Sequence, residues 1–496
     1  MRYIVVVGAI VLLAIVFRST SLECRPMHVD EAVHAIKFGR LLEKGSYIYD
    51  PAEYHGPTLN YFTLVPAFVT GKKTLEQVTV GTLRSVPLFF GLALLLLFLL
   101  LRPVFDDRMV IFAIIFSAFS APLVFYSRYY IQEVLFITFA YGLLICLIRY
   151  FSAYHKGWIA AAGIFLGLMH ATKETDILFL TAMIISAVIV VPVFKPKVRI
   201  IKKDMAIMIG CGFVISLLFY SSFFSNWKGV YDSFATYMNY LGRAGHNPYH
   251  VHPWYYYLKW LFFFKNNTGP VWSEIPILLL AAAGIYHGRR NPWLVFIACN
   301  SIILFAIFTL MPYKTPWNIM ISWQGIIIVA AYGGAYLYRY KTGRLVLGLV
   351  IAHMLWLSSL TNYIYEADQE NPYVYAHTMR DIPEVARSVV ECAQHSPEGR
   401  AIHVQVFCSR HDYWPLPWYF RKLHAVGWYD HINFKLKPAP IIIISPDQEK
   451  DLIHFLYDLP PPGERSLYVP ISKKTIMLRH GVELNVYIRS DLYAEL

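Results

Sequence analysis

Residues 177–203 read ILFLTAMIISAVIVVPVFKPKVRIIKK, an uncharged run from Ile177 to Phe194 followed at once by Lys195, Lys197, Arg199, Lys202 and Lys203. A bilayer hydrocarbon core of about 30 Å takes roughly 20 apolar residues of helix, so the first part reads as a membrane span. The cations behind it, with no acid until Asp204, read as a cytoplasmic loop, because lysine and arginine accumulate on that side. The orientation of every other segment follows by counting spans outward from this loop.

Applied to the rest of the chain, the same ruler finds spans at 3–17, 84–101, 109–126, 132–149, 157–172, 177–194, 205–224, 272–287, 293–310, 316–338 and 345–363. Composition agrees: the 496 residues are 57% hydrophobic and only 15% charged, whereas about a quarter of a soluble domain is charged. Two apolar pieces, 59–69 and 254–264, are short and read as re-entrant or interfacial, the second carrying the Tyr and Trp of a membrane-interface belt. Counting places Arg102/Arg108, His155/Lys156, Arg289/Arg290 and Lys341/Arg344 on the side of the 195–203 loop. The N-terminus is then cytoplasmic and everything beyond about residue 364 lies outside, in a multi-pass protein of the plasma (inner) membrane. Residues 3–17 are like a signal-peptide core, but no small-residue cleavage site follows before Arg18 and Arg25, so this is an uncleaved first span.

The expected fold is an α-helical polytopic membrane domain over 1–365, with about 11–13 transmembrane helices, and a small extracytoplasmic α/β domain over 366–496. In the latter the patterning predicts a helix at 381–392, strands at 401–407 and 440–445, a helix at 447–457, and strands near 466–478 and 482–488. The net charge of +12 does not imply nucleic acid, since the basic residues sit in short clusters between apolar runs and not on one face. The six cysteines have no CxxC or zinc spacing; Cys392 and Cys408 are either a disulfide pair or free thiols. No Gly-rich phosphate loop is present.

Counting spans also collects the unusual polar residues on the outer face: Asp30, Glu31 and His34; Tyr54-His55-Gly56-Pro57; Ser127-Arg128 with Glu133; Lys173-Glu174; His246, His250 and His252; and Pro312-Tyr313-Lys314. Ionisable groups at membrane helix ends are costly, and each raises a functional question. Asp30 and Glu31 open an amphipathic stretch, 31–44; they suit a general base at the water–lipid boundary and equally a helix N-terminal cap. Arg128 and Glu133 suit a lipid phosphate and an acceptor or metal, or a structural ion pair. Lys173 and Lys314 suit a phosphate, or snorkelling to head groups. The histidines at 246, 250 and 252 match no zinc pattern, and an interfacial belt with polar tips accounts for them without a metal.

In order and sidedness these elements resemble the multi-spanning (GT-C type) superfamily of lipid-phosphate-sugar-dependent glycosyltransferases, which includes the protein O-mannosyltransferases and the lipid A aminoarabinose transferases. The resemblance covers about residues 1–365 and rests on Asp30-Glu31, Tyr54-His55-Gly56-Pro57, Ser127-Arg128 with Glu133, Lys173-Glu174-Thr175, His252-Pro253-Trp254-Tyr255 and Pro312-Tyr313-Lys314-Thr315. It implies Asp30 as catalytic base with Glu31 its neighbour, and Glu133 as the acidic residue early in the fourth span. His55 falls where the mannosyltransferases have His-Pro-Pro and the aminoarabinose transferases Glu-Lys-Pro. Arg128, Lys173 and Lys314 become contacts to the carrier phosphate, with His55, Glu174 and His252 on the substrate side. The tail, through Asn371-Pro372-Tyr373 and Trp414-Pro415-Leu416-Pro417-Trp418, is similar to a prokaryotic branch associated with flippase activity, and no segment matches the luminal β-trefoil domain of the mannosyltransferases.

The expected reaction is an inverting transfer of sugar from a polyprenyl-phosphate donor to a glycan, lipid or protein acceptor, with membrane lipids as surroundings, no cofactor and no metal. Three rivals remain. A lipid-linked glycan flippase calls for mid-span charges and pseudo-symmetric broken helices. An oligosaccharyltransferase-type enzyme calls for a divalent cation on Asp30 and Glu133. A pure scaffold would tolerate loss of Asp30.

Overall fold

The computed structural model describes residues 2–52, 55–195, 201–243 and 250–493. Tyr54, Lys197, Arg199 and His246 lie outside the described residues. The chain forms two compact units, one of residues 1–22, 40–71 and 81–375, the other of residues 23–39, 72–80 and 376–496. Two stretches from early in the chain therefore cluster with the tail, whereas the sequence reading divides the chain once, at 365/366.

The first unit is helical. Among the described residues, seven helices are long and apolar enough to cross a membrane: Val80–Leu101, Glu133–Ala153, Asp176–Phe194, Lys202–Tyr220, Pro292–Leu310, Pro316–Leu337 and Lys341–Ile364. Each falls on an expected span. Tyr3–Ser19 and Ile275–Gly288 are shorter apolar helices, as is Lys156–His170. Thr58–Val69 and Tyr256–Phe262 are too short to cross, at about 1.5 Å per residue. Glu133–Ala153 and Pro316–Leu337 form the centre, each 83% buried in its apolar window, against 22% for Asp176–Phe194 and 17% for Lys202–Tyr220.

The expected single span at 109–126 is instead two helices, Asp107–Phe119 and Ala121–Ser127, bent by 61°. Pro122 has no N–H to return to the Ala118 carbonyl, so the helical ladder fails there. In a bilayer a carbonyl freed in this way needs a partner from the protein. Arg18 supplies it: the buried guanidinium donates from Nη1 to the Ala118 oxygen (2.5 Å) and from Nη2 to that of Ser117 (3.0 Å).

Small residues let other helices approach closely, as membrane packing favours. A Cβ on Gly167 would come within 2.4 Å of the Gly212 carbonyl oxygen, fixing Lys156–His170 against Lys202–Tyr220. A Cβ on Gly333 would meet the Leu280 oxygen at 2.1 Å.

The second unit holds a mixed sheet of β1 (His403–Phe407), β2 (Ala425–Tyr429), β3 (Ile441–Ile444), β4 (Tyr468–Pro470), β5 (Ile476–Arg479) and β6 (Val482–Arg489), in the order β2-β1-β3-β6-β4 with β5 paired to β6. β1 runs parallel to β2 and β3; β6 is antiparallel to β3, β4 and β5. The four isoleucines of β3 are all buried, as a central strand covered on both faces requires. Helix Ile382–His395 packs its apolar stripe on one face, and Leu452, Phe455 and Leu456 cover the other. Cys392 and Cys408 are both buried. β2 is the strand the sequence reading lacks.

Candidate functional site

In the first unit the polar residues are built onto helix ends. Glu133 opens the central helix Glu133–Ala153, where a carboxylate suits the N-terminal dipole. Lys173 lies in the turn between Lys156–His170 and Asp176–Phe194, and its ammonium donates to Glu133 Oε1. Both side chains are buried, at 5% and 7% exposure, so Lys173 is ion-paired inside the protein and does not snorkel. Two charges withdrawn from water are tolerable only because they meet each other.

The turn at Gly56 is clasped onto the same loop: Gly56 N–H donates to the Thr172 carbonyl (3.1 Å) and Thr58 N–H to that of Ala171 (3.2 Å). Only glycine permits this, since a Cβ at 56 would sit 2.2 Å from the Ala171 oxygen. The clasp holds His55 Nδ1 2.7 Å from Glu174 Oε2, while the Tyr49 hydroxyl donates to Oε1 at 2.9 Å. Burial acts to raise the Glu174 carboxyl, but His55 and the hydrogen bonds outweigh it and hold the group below the usual range. Asp176 accepts from the Tyr237 hydroxyl at 2.8 Å.

Lys314 comes from a short antiparallel ribbon in which Val251 pairs with Tyr313. His252 N–H donates to the Pro312 carbonyl (3.2 Å) and Lys314 N–H to that of His250 (2.8 Å). The buried Lys314 amine turns back onto the carbonyls of His252 (3.1 Å) and Met311. Among the described residues it has no carboxylate partner, and burial lowers its pKa. The His252 ring stacks on Tyr256 with centroids 4.3 Å apart, and His250 Nδ1 is 2.6 Å from the Tyr375 hydroxyl. Tyr257 donates to the carbonyl of Thr315, the residue after Lys314, at 2.9 Å.

Arg128 is placed otherwise. Its Nη1 and Nη2 donate to the carbonyls of Phe17 (3.3 Å) and Ser21 (3.0 Å), and its guanidinium lies 4.8 Å over the Tyr363 ring. Those bonds close the end of helix Tyr3–Ser19, a structural use of a residue expected to meet the carrier phosphate.

In the second unit Asp30 and Glu31 open helix Val29–Lys44 with different roles. His28 Nδ1 accepts from Asp30 N–H (3.0 Å), and the buried Glu31 Oε2 accepts from His28 N–H (3.1 Å). That reciprocal arrangement is a capping box. The Asp30 side chain is 41% exposed and its nearest ionic neighbour is His28 Nδ1 at 3.9 Å. The stretch is pinned within the unit by Met27, whose N–H donates to the Tyr419 hydroxyl (2.9 Å) and whose carbonyl accepts from Thr378 (2.6 Å). Arg479 pairs with Asp412 and donates to the Trp414 carbonyl at 2.6 Å. Burial lowers its pKa, while Asp412 and, more weakly, Asp30 oppose the shift, so Asp30 has a cation within electrostatic reach.

The sequence reading singles out both lysines, Glu133, Glu174 and Asp30, but not Tyr49, Asp176, Tyr237, Tyr257 or Arg479. Asp176 was open to discovery as the third ionisable residue of Lys-Glu-Thr-Asp; the others have no local signal. Among the described residues, no three His, Cys, Asp or Glu side chains converge in a metal-holding group.

The helical bundle with its bent span and the small sheet unit give the chain an ArnT-like fold. Residues 55–223 match the family described as dolichyl-phosphate-mannose-protein mannosyltransferase. The whole chain is similar to ArnT from Cupriavidus metallidurans in the apo state, with TM-score 0.63, 14% identity and 97% of each chain covered. It is also similar to the same protein bound to undecaprenyl phosphate (TM-score 0.61, 14%, 97% of each). The archaeal oligosaccharyltransferase AglB from Archaeoglobus fulgidus, in complex with an inhibitory peptide and a dolichol-phosphate, matches at TM-score 0.58 and 12% identity over 90% of this chain and 70% of its own. No curated protein matches the chain in sequence.

Proposed function

We propose that the protein is an integral-membrane glycosyltransferase that moves a sugar from a polyprenyl-phosphate-linked donor to an acceptor on the extracytoplasmic side. The observation that carries this reading is Lys314, a buried ammonium met by carbonyls and by no carboxylate among the described residues. Such a cation suits an incoming anion. The shared fold with a protein bound to undecaprenyl phosphate supports a lipid phosphate as that anion.

The acceptor oxygen bonds to the anomeric carbon as the bond from that carbon to the phosphate oxygen breaks, inverting the centre. The electron pair leaves on the carrier phosphate, whose growing charge Lys314 offsets. The acceptor's proton goes to a carboxylate base, the role that the sequence resemblance gives Asp30. As written, the reaction draws on no cofactor or metal. The acceptor is a glycan, lipid or protein, and the membrane is the plasma (inner) membrane with the N-terminus cytoplasmic.

The test is hexose transfer from a polyprenyl-phosphate hexose by purified protein in lipid with a chelator present. Wild type should turn over; Asp30→Asn should lose about 10²–10⁴-fold in rate; Lys314→Gln should lose activity with a raised KM for the donor. No wild-type turnover across several donor sugars would sink the proposal, and loss of turnover on chelation alone would move it to a metal-dependent oligosaccharyltransferase.

A further inference from the structure

Helix Glu133–Ala153 has Glu133 in its first turn and Arg149 near its last, about 24 Å apart along the axis at 1.5 Å per residue. Beside Arg149 a hollow of about 420 Å³ opens, lined by Leu99, Leu100, Arg102, Pro103, Asp107 and Arg149. The Arg102 guanidinium is spent: its Nε and Nη2 donate to the two Asp107 oxygens at 2.7 and 3.2 Å, so this pair adds no net charge. Arg149 differs. Its guanidinium lies 5.0 Å over the Trp158 ring, its Nε is buried without a hydrogen-bond acceptor, and it forms no ion pair among the described residues.

Buried donors in native proteins are almost always satisfied, so the unmet donor of Arg149, a residue that lines the hollow, calls for an acceptor from outside the chain. We propose that the hollow binds the phosphodiester headgroup of an anionic phospholipid. The charges match: with Arg102 and Asp107 cancelling, Arg149 leaves one net positive charge for the one negative charge of a phosphodiester. The guanidinium fork suits two phosphate oxygens. Leu99, Leu100 and Pro103 give the hollow an apolar wall at the end of the span Val80–Leu101, where the glycerol and upper acyl chain would lie. The volume falls in the ordinary range for a small-molecule site. This inference does not depend on the proposed transferase reaction, since it concerns the opposite end of that helix.

Inorganic phosphate shares the headgroup chemistry, and the test separates the two sources. Thermal unfolding of the purified full-length protein is followed in detergent micelles supplemented with phosphatidylglycerol, with phosphatidylcholine, or with inorganic phosphate. Wild type should be stabilised by phosphatidylglycerol above phosphatidylcholine. Arg149→Gln should need about tenfold more phosphatidylglycerol for a half-maximal shift, with its response to phosphatidylcholine unchanged. Leu100→Trp, which fills the hollow without touching Arg149, reads the same shift should Arg149→Gln fail to fold. An equal phosphatidylglycerol response in wild type and these variants, or full reproduction of the shift by inorganic phosphate, would overturn the proposal.

Discussion

Glu31 points back along its own helix to take the His28 N–H, while Asp30, one residue earlier, keeps its carboxylate toward solvent. The two acids should therefore part company on mutation. Asp30→Asn is expected to abolish most transfer with an unchanged melting temperature. Glu31→Ala should cost about 0.5–2 kcal/mol of stability and lose activity only in proportion to unfolding. Parallel assays and melts decide it, and a stable but inactive Glu31→Ala would assign the chemistry to the wrong acid. Glu274 is buried and accepts from the Tyr373 hydroxyl at 3.1 Å. Asp30 and Lys314 were legible because an ionisable residue beside an apolar run stands out. Glu274 was not, since its meaning depends on Tyr373, 99 residues away.

At the scale of elements, apolar length carried most of the information: each of the seven long helices was visible as a run of hydropathy. What that ruler does not register is continuity. The 109–126 run is apolar throughout, yet Pro122 breaks it, and the repair comes from Arg18 in a different helix. Arg18→Met should leave two buried carbonyls unsatisfied, at about 1–3 kcal/mol each, and lower the melting temperature. Arg18→Lys should recover only part of the loss, because an ammonium lacks the planar fork. A melt of Arg18→Met that matches wild type would show that the break is satisfied some other way. In the sheet, β2 escaped notice because Ala-Val-Gly-Trp-Tyr is short, interrupted by glycine and nowhere fully buried. The buried isoleucines of β3 announced themselves.

At the scale of the molecule, a linear reading divides the chain once, but the second unit is assembled from three stretches, with Met27 held by Tyr419 and Thr378. Residues 376–496 expressed alone should accordingly fold with reduced stability. A synthetic peptide of residues 23–39 should raise their melting temperature in a concentration-dependent way, as any ligand of the folded state does. No effect at high peptide concentration would mean that the tail is self-sufficient. The same division has a consequence for inheritance. A recombination event or an engineered chimera that exchanged only the stretch after residue 375 would deliver a sheet without Asp30. The recipient would then have to supply that acid from its own early sequence, matched to a Tyr419 and a Thr378 it had never met. Variation in the tail is thereby tied to variation near the start of the chain, so the two ends should change together or not at all.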